Sequence, residues 1–279
     1  MIQEIGSSKF DIAFSDYKPE KDDYVLRFDK EGKILLRTGS DGIGFTRGFD
    51  ESEKDKIVYL FSLDNTRFFL LTDNLTEDSN IDGEKFSLKG VREIRGSYSN
   101  AETLIVFTAY HLWRWYNDNV FCGRCASKMK PKGTERALIC EDCGNTVYPR
   151  INPAVIVGVI KGDSILITRY NRGYAHNALV AGFTEIGETL EQTVSREVME
   201  ETGIRVKNIR YYKSQPWGMA QDVLMGFFCE ADGDDPIKRD ESELKFAEWV
   251  PRDEIELQPN NLSLTNEMMS LFKEGKEWI

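Results

Sequence analysis

The sequence predicts a mixed α/β (α+β) protein with three consecutive regions. Residues 1–119 contain short strand-like segments separated by turn residues, which is typical of a mainly-β domain. Residues 120–150 contain two cysteine pairs at the spacing of a zinc site. Residues 151–279 combine apolar strand-like segments with helical ones, which indicates a further α/β domain. These three observations place the predicted domain boundaries after residues 119 and 150.

Composition restricts the class of protein. The 279 residues are 41% hydrophobic and 30% charged, with a net charge of −11, which argues against a general attraction to nucleic acid or anionic membranes. No apolar run approaches the roughly 20 residues of a membrane helix, and the N-terminus lacks the pattern of a secretory signal. Four of the five cysteines form pairs along the chain, and Cys229 fits a buried strand thiol. A cytoplasmic protein is therefore expected.

The first region is expected to be a scaffold or dimerisation domain, because it shows no constellation of catalytic residues. Its predicted strands are DYVLRF (23–28), KILLRT (33–38), IVYLFSL (57–63) and RFFLLT (67–72), with turn signals such as SDGIG between them. A helix is predicted to begin at Ser99, since Ser99 and Glu102 have capping-box spacing. The predicted buried face of this helix consists of Leu104, Thr108, Leu112 and Trp115.

Two Cys-x2-Cys pairs define the second region. Cys122 with Cys125 and Cys140 with Cys143 are separated by fourteen residues. Four thiolates complete the tetrahedral shell of Zn²⁺ and leave no position for a substrate, so a structural zinc site is predicted. A redox pair and a nucleic-acid-binding module are the alternatives, the latter because KMKPKGTER (128–136) is locally basic.

The third region opens with two apolar strands around a Lys-Gly-Asp turn, INPAVIVGVIKGDSILITRY. A helix is predicted to begin near Thr189, which has capping-box spacing with Gln192, and to end at Gly203. The predicted buried stripe of this helix is Leu190, Val194 and Val198. The remaining predicted elements are strands near 205–213 and 223–230, a strand around AEWV and a helix from Ser263.

Three glutamates on the predicted helix need an explanation. Glu197, Glu200 and Glu201 are related by i, i+3 and i+4, so their side chains project to one side and repel one another. The glycine-bounded loop 182–187 can bring Glu188 over the same face. A solvated charged face is one interpretation. A site for hard divalent cations such as Mg²⁺ or Mn²⁺ is the other, and it explains why four carboxylates and Arg196 converge.

The complete spacing favours the metal site. It reads Gly182-x5-Glu188-x7-Arg196-Glu197-Val198-x-Glu200-Glu201-x-Gly203-Ile204, and it resembles the Nudix box at every fixed position. The resemblance implies an α/β/α sandwich whose box helix binds metals and cleaves a nucleoside diphosphate linked to another group. Such metals neutralise phosphate oxygens and activate a water for attack at phosphorus.

The order of the regions narrows the resemblance. A zinc ribbon directly before a Nudix domain, with SQPW at 214–217, resembles the NADH pyrophosphatase subfamily of Nudix hydrolases. Its members split NAD(H) into NMN(H) and AMP, some remove NAD caps from RNA, and the subfamily forms homodimers with residues of both chains lining the site. The resemblance implies zinc ligation by the four paired cysteines. It also implies a catalytic set consisting of Arg196, Glu197, Glu200 and Glu201, with Glu200 orienting or deprotonating water. The implied ligands for Mg²⁺ or Mn²⁺ are Glu197, Glu200, Glu201, Glu243 and the backbone carbonyl of Ala181.

The resemblance also implies residues that bind the substrate, although part of that motif differs in this chain. Tyr148 and Phe183 match aromatic positions that flank the nicotinamide-side base, and Trp217 matches a tryptophan beside the dinucleotide; Gln215 and Asp222 belong to the same substrate loop. The subfamily pattern SQPWPFPxS is SQPWGMAQD here, so Asp222 replaces a serine. A carboxylate there could repel a substrate phosphate, or it could point to solvent or bind a metal.

The function predicted from the sequence is metal-dependent hydrolysis of the NAD(H) pyrophosphate, with NAD-capped RNA as a further substrate. The alternatives are a Nudix hydrolase for another substrate, such as ADP-ribose or a dinucleoside polyphosphate, and an inactive nucleotide- or RNA-binding module. The intact glutamate set argues against the inactive module.

Overall fold

The computed structural model of the chain describes residues 1–75, 80–81, 84–173 and 176–277. The chain divides into two compact units. One unit consists of Ile2–Arg150 and Gly218–Gln221, and the other of Met1, Ile151–Trp217 and Asp222–Ile279. Among the described residues, none of the helices combines the length and the apolar character needed to cross a membrane. The predicted division into three domains stays a prediction.

The first part of the N-terminal unit consists of strands. Their bounds are β1 (Phe10–Asp11), β2 (Tyr24–Leu26), β3 (Ile34–Gly39), β4 (Gly42–Phe45), β5 (Ile57–Leu63), β6 (Thr66–Leu71), β7 (Asn80–Ile81), β8 (Glu84–Lys85) and β9 (Ser87–Lys89). They form sheets in the orders β1-β5-β6-β2 and β4-β3-β9, and β7 pairs with β8. The four predicted strands are confirmed as β2, β3, β5 and β6. The segment SDGIG, predicted as a turn, also supplies the start of β4, because Gly42 and Ile43 pair with Gly39 and Thr38.

Two helices follow, α1 (Val91–Ile94) and α2 (Asn100–Asp118). The predicted start of α2 is confirmed, since the side chain of Ser99 accepts from the N–H of Glu102 and Glu102 bonds back to Ser99. The buried face is broader than the four residues predicted. Leu104, Leu112 and Trp115 are buried, but Thr108 is only half-buried. The buried face of α2 also includes residues that were not predicted, among them Val106 and Phe107.

The cysteine region adds three short antiparallel strands, β10 (Lys130–Pro131), β11 (Leu138–Ile139) and β12 (Thr146–Val147), in that order. Its Arg136 reaches the first sheet and donates to the carbonyl of Leu60 at 2.6 Å and to that of Ile12 at 3.1 Å. Burial lowers the pKa of this guanidinium. The basic segment noted in the sequence is thus partly engaged in holding the region to the β-domain.

The C-terminal unit is built around one mixed sheet. Its strands are β13 (Asn152–Lys161), β14 (Ser164–Tyr170), β15 (Val180–Phe183), β16 (Val206–Trp217), β17 (Asp222–Ala231) and β18 (Leu244–Pro251). The order is β16-β17-β13-β14-β18, with β15 also on β13, and β13 runs parallel to β17. All the predicted strands are found, but the strand predicted to end at residue 213 continues through SQPW, because β16 pairs with β17 as far as Trp217.

Two helices cover opposite faces of this sheet. The helices are α3 (Leu190–Thr202) and α4 (Leu264–Lys273), and both begin at their predicted caps, Thr189 and Ser263. Alternate side chains of β13 point to opposite faces of the sheet. The core on the α3 side contains Val155, Val157 and Val159 of β13, Val194 and Val198 of α3, and Cys229. Ile156 and Ile160 pack with Met268 and Phe272 of α4. Gly203 ends α3 with φ of +70°, as predicted. The α/β/α sandwich is therefore confirmed.

Candidate zinc site and candidate active site

Four cysteine sulfurs form a compact cluster in the N-terminal unit. The ligand atoms of Cys122, Cys125, Cys140 and Cys143 all lie within 4.8 Å of one another. Cys122 Sγ is 3.6 Å from Cys143 Sγ, and Cys125 Sγ is 3.4 Å from Cys140 Sγ. A tetrahedral ion with Zn–S bonds of about 2.3 Å places sulfurs about 3.8 Å apart. The four residues therefore fit a closed zinc site.

The same backbone turn occurs twice in this cluster. The N–H of Ala126 donates to Cys122 O at 2.8 Å, and the N–H of Gly144 donates to Cys140 O at 2.9 Å. Both residues after the second cysteine have a left-handed conformation, with φ of +64° at Ala126 and +71° at Gly144. The N–H of Arg124 points at Cys122 Sγ at 3.4 Å and lowers the pKa of this thiol to about 6. The first turn thus favours the thiolate form of Cys122.

In the C-terminal unit, Gly182 makes room for a glutamate of the box helix. A Cβ atom at Gly182 would lie 1.9 Å from the carboxyl carbon of Glu197. Gly182 belongs to β15, which pairs with β13, so its position is set by the sheet. Only glycine allows the carboxylate of Glu197 to approach the strand this closely. Burial raises the pKa of Glu197.

Arg196 holds three of the four carboxylates. Its guanidinium donates to Glu188 Oε1 at 2.7 Å, Glu188 Oε2 at 2.9 Å, Glu197 Oε1 at 2.8 Å and Glu200 Oε2 at 3.0 Å. It also donates to the carbonyl of Phe183 at 2.9 Å. The bidentate contact lowers the pKa of Glu188 to about 2. The predicted return of Glu188 over the helix face is confirmed, and Arg196 offsets the repulsion among the glutamates.

Glu201 lies on the other side of this network. It is 2% exposed, and both of its carboxylate oxygens contact the hydroxyl of Tyr170, at 3.1 and 3.2 Å. Burial, together with the neighbouring acids Glu243, Glu197 and Asp240, raises the pKa of Glu201 to about 8. A nearby positive charge stabilises the ionised form of a carboxylate that is buried in this way. Its oxygen donor is one that Mg²⁺ and Mn²⁺ prefer.

The glutamates are less closely gathered than the cysteines. Within the described ranges, the cysteine cluster is the only group of three or more His, Cys, Asp or Glu side chains whose ligand atoms all lie within 4.8 Å. The expectation that three glutamates share one face is met only in part, because Glu197 and Glu200 turn to Arg196 and Glu201 turns to Tyr170. Beyond the effect of burial, the charge of Glu243 raises the pKa of both Glu197 and Glu201.

Two residues near the glutamates were not singled out from the sequence. Tyr170 ends β14, and Asp240 lies before β18, with its N–H bonded to the backbone carbonyl of Glu201 at 2.9 Å. Neither belongs to the Nudix spacing. Their proximity depends on strand pairing over long sequence distances, and no local signal in the sequence encodes it.

The predicted aromatic residues are accessible. Phe183 at the end of β15 is 53% exposed, and Tyr148 in the cysteine region is 56% exposed. Trp217 ends β16 and is half-buried. Gln215, by contrast, is fully buried, and its amide donates to Leu262 O at 2.8 Å and accepts from the N–H of Leu264 at 2.7 Å. These bonds tie Gln215 to the segment that begins α4, and its predicted role toward substrate stays a prediction.

Asp222 does not point to solvent. It begins β17, is 6% exposed, and bonds to Asn152, its partner in the register with β13. Its Oδ1 atom has no hydrogen-bond partner among the described residues. Burial raises the pKa of Asp222 to about 6. The solvent-facing alternative is therefore wrong, and a role toward substrate or metal stays a prediction.

Gly218, the first altered position of the loop before Asp222, lies close to α2. A Cβ atom at Gly218 would lie 2.1 Å from the carbonyl oxygen of Phe107 in α2. A proline at this position, as in the SQPWPFPxS pattern, would clash with the helix backbone. The departure from the pattern is therefore tied to the close packing of Gly218 on α2.

Comparison with known proteins finds a matching domain for each of the two regions that hold these sites. A NUDIX domain matches residues 150–271, so the second unit carries a Nudix domain. The NADH pyrophosphatase zinc ribbon domain matches residues 117–148, so the chain combines this Nudix domain with the zinc ribbon of NADH pyrophosphatases. Domains of these two kinds use Zn²⁺ in the ribbon and Mg²⁺ or Mn²⁺ in Nudix catalysis.

Individual relatives share one name. The NAD-capped RNA hydrolase NudC of Salmonella typhi is 45% identical over 150 residues, which are 53% of this chain and 58% of that protein. The protein of the same name from Escherichia coli O9:H4 (strain HS) gives the same identity and coverage. The chain thus spans little more than half the length of the curated relatives that it matches. A Nudix hydrolase structure from Nitrosomonas europaea is 21% identical with a TM-score of 0.49, covering 55% of this chain and 90% of that one.

Proposed function

We propose that the chain is a Nudix pyrophosphohydrolase that splits NAD(H) into NMN(H) and AMP with Mg²⁺ or Mn²⁺. The observation that carries the proposal is the pair Glu197 and Glu201, one fitted against Gly182 and the other buried beside Tyr170. Both carboxylates lie on one helix, and burial raises the pKa of each. A bound cation would therefore stabilise the ionised forms that burial disfavours. The matched domains and the name of the relatives support the same class of reaction.

The proposed roles follow from position. Glu197, Glu201, Glu243 and the carbonyl of Ala181 would hold the cation, which supplies charge for the diphosphate and activates a water when bound. Glu200 is the most exposed of the box glutamates held by Arg196, with 59% of its side chain accessible, and we assign it to orient the water and accept its proton. Arg196 keeps these carboxylates in place through its contacts with Glu188, Glu197 and Glu200.

The proposed substrate side consists of aromatic residues. The exposed rings of Phe183 and Tyr148 offer surfaces for base stacking, which is worth roughly 1–3 kcal/mol per base. Trp217 is the third aromatic of this set. NAD-capped RNA is included because the relatives are named for it. A dinucleotide at the end of an RNA presents the same diphosphate to the glutamates.

A substrate panel tests the proposal. The zinc-loaded protein is incubated with NADH, NAD-capped RNA, ADP-ribose, a diadenosine polyphosphate and a nucleotide sugar, each with Mg²⁺ or Mn²⁺. We expect NMNH and AMP from NADH, and 5′-monophosphate RNA from the capped transcript. RNA with a 5′-triphosphate is the matched control for cap recognition. Hydrolysis in ¹⁸O-labelled water, read by mass spectrometry, identifies the phosphorus that is attacked.

One observation favours a second candidate within the Nudix class. Asp222 places a buried carboxyl where the subfamily pattern has serine, and its Oδ1 has no partner among the described residues. A loop that binds a different group beside the diphosphate would explain this change. Faster turnover of ADP-ribose or a nucleotide sugar than of NADH would move the proposal to that substrate. If no member of the panel is hydrolysed, the remaining hypothesis is an inactive nucleotide- or RNA-binding module.

We further propose a homodimer that works in the reducing cytoplasm. Support for the assembly is the exposure of Val120 at 45% and Phe121 at 60% at the start of the zinc ribbon, which a second chain would cover. Support for the compartment is that all five cysteines are free thiols, four of them in a metal-binding cluster. Light scattering at micromolar concentration should give twice the 32.0 kDa of one chain. A mass near that of one chain would overturn the dimer.

A further inference from the structure

The hydroxyl of Tyr170 joins two groups that come from separate elements. It accepts a hydrogen bond from the N–H of Ala181 in β15 at 3.0 Å. It lies 3.1 and 3.2 Å from the two carboxylate oxygens of Glu201 in α3, and 3.3 Å from the carbonyl of Ala181. One side chain therefore contacts both a carboxylate and a peptide group that are proposed to bind the cation.

The strand positions Tyr170 for these contacts. β14 pairs with β18 in regular register from Ser164 to Arg169, and the register shifts between Arg169 and Tyr170. The residue skipped in the pairing, Lys245, lies in β18, so the alternation of side chains along β14 continues through Tyr170. Leu166 of β14 packs in the core beside α3, and Tyr170, four residues later, lies on the same face of the strand. The Tyr170 side chain is half-buried, and its hydroxyl faces Glu201 of α3.

Glu201 needs such a partner. It is almost completely buried, and a buried carboxyl without a donor is strongly destabilised. Arg196, which serves Glu188, Glu197 and Glu200, has no hydrogen bond to Glu201 among those found in the described part of the chain. The contact with Tyr170 thus replaces the one that the guanidinium gives to the other box glutamates.

We propose that Tyr170 is a positioning residue of the metal centre, which holds Glu201 and the Ala181 peptide in place as ligands. The inference deepens the proposed function and depends on it only in assigning these two groups to the cation. Removal of a hydrogen-bonding group behind a metal ligand typically costs 10–100-fold in metal affinity. A purely structural role would lower the stability of the fold and leave the metal affinity of the folded protein unchanged.

Mn²⁺ binding to Tyr170→Phe tests this role without relying on turnover. Phenylalanine keeps the ring and removes the hydroxyl. Free Mn²⁺ is measured by electron paramagnetic resonance in a titration of zinc-loaded wild type and variant. We expect the dissociation constant of Tyr170→Phe to rise by about 10-fold or more. In an activity assay, the Mn²⁺ concentration for half-maximal rate should rise in parallel, while the rate at saturating Mn²⁺ falls much less.

Tyr212→Phe is the matched control. The hydroxyl of Tyr212 donates to Glu267 at 2.5 Å in the same unit, so this variant also loses a tyrosine–glutamate bond. Its Mn²⁺ affinity should stay within twofold of wild type. Glu201→Gln identifies the signal from the glutamate site, because it removes the anionic ligand.

The results separate this inference from the proposed substrate. A Tyr170→Phe protein that is folded and binds Mn²⁺ within twofold of wild type would overturn the role of Tyr170. Equal weakening in Tyr170→Phe and Tyr212→Phe would overturn it as well, since the effect would then be general. A selective loss of Mn²⁺ affinity in a chain that hydrolyses no NADH would support the role of Tyr170 and overturn the proposed substrate.

Discussion

The cysteine cluster and the glutamate cluster differ in how far the polypeptide alone brings the ligands together. The four sulfurs lie within 4.8 Å of one another, at distances close to those of a zinc-bound set. The glutamates are held apart, with Glu197 and Glu200 on Arg196 and Glu201 on Tyr170. The first site is preformed as a closed shell. The second is kept open by hydrogen bonds within the protein.

The difference follows from charge and from sequence distance. Thiols can be neutral and pack together, whereas carboxylates in a buried site repel and need a cation or a guanidinium between them. The cysteines also belong to two copies of one local turn, while the glutamate site combines β14, β15, α3 and the loop before β18. A preformed shell suits a structural ion, and a strained acidic site suits an ion that takes part in turnover.

The largest expected effect is on turnover in Glu201→Gln. Glutamine keeps the volume and an oxygen for the Tyr170 hydroxyl, so we expect the fold to persist. Loss of the anionic ligand should lower kcat for NADH by at least about 100-fold, which is about 2.7 kcal/mol of barrier. Glu191→Gln, an exposed glutamate on the same helix, is the control and should be near wild type. Retention of more than about a tenth of the activity in Glu201→Gln would remove Glu201 from the metal centre.

The next effect is on stability in Cys140→Ser. Cys140 is fully buried, and loss of one thiolate opens a four-ligand site whose metal contributes to folding. We expect loss of the bound zinc and a decrease of about 10 °C or more in Tm, measured by elemental analysis and calorimetry. Cys229→Ala, which removes a buried thiol of the Nudix core, should keep one zinc per chain. Unchanged zinc content in Cys140→Ser would show that the cluster is not the zinc site.

A smaller effect is expected at Asp222, which is buried like Glu201 but lies outside the box. Its pKa is raised to about 6, so the ionised form destabilises the fold. The cost is absent below the unfolded pKa of about 4 and complete above pH 6. Asp222→Asn should therefore increase the free energy of unfolding by about 1–3 kcal/mol at pH 8 and by almost nothing at pH 3.5.

Denaturant unfolding of both proteins at the two pH values measures this difference. An equal gain at both pH values would mean that burial of the charge is not the cause. A decrease in stability at pH 8 would mean that the ionised carboxylate has a favourable partner. Rates with NADH, measured on the same variant, would then show whether Asp222 also opposes the substrate.

The smallest effect concerns the two cysteine turns. Ala126 adopts the left-handed conformation that glycine occupies at the equivalent Gly144. For a residue with a Cβ atom this conformation costs roughly 1 kcal/mol. Ala126→Gly should raise the stability of the zinc-loaded protein slightly, by at most about 1 kcal/mol, while Gly144→Ala should lower it by a similar amount. The two changes would show whether the turns are energetically equivalent.

The sequence was sufficient for the parts of the fold with local signals. The caps at Ser99, Thr189 and Ser263, the stop at Gly203 and the strands of the Nudix sheet were all predicted. The cysteine spacing predicted a cluster that the structure contains. These features depend on residues within one or two turns of chain.

The parts that the sequence could not predict depend on long-range contacts. The contact between Tyr170 and Glu201 spans 31 residues and depends on β14 and α3 sharing one core. The burial of Gln215 depends on the start of α4, 47 residues later. Resemblance to a family pattern placed Gln215 near the substrate, but the packing around it is decided by this chain's own side chains.

The close approach of Gly218 to α2 restricts which residues position 218 can accept. A single change of Gly218 to the proline of the subfamily pattern would bring the new ring against the carbonyl of Phe107. The nearest atoms belong to the helix backbone, so no substitution in α2 by itself removes the clash, and the helix or the loop has to shift. We therefore expect a library that randomises 218–222 to select against proline at position 218.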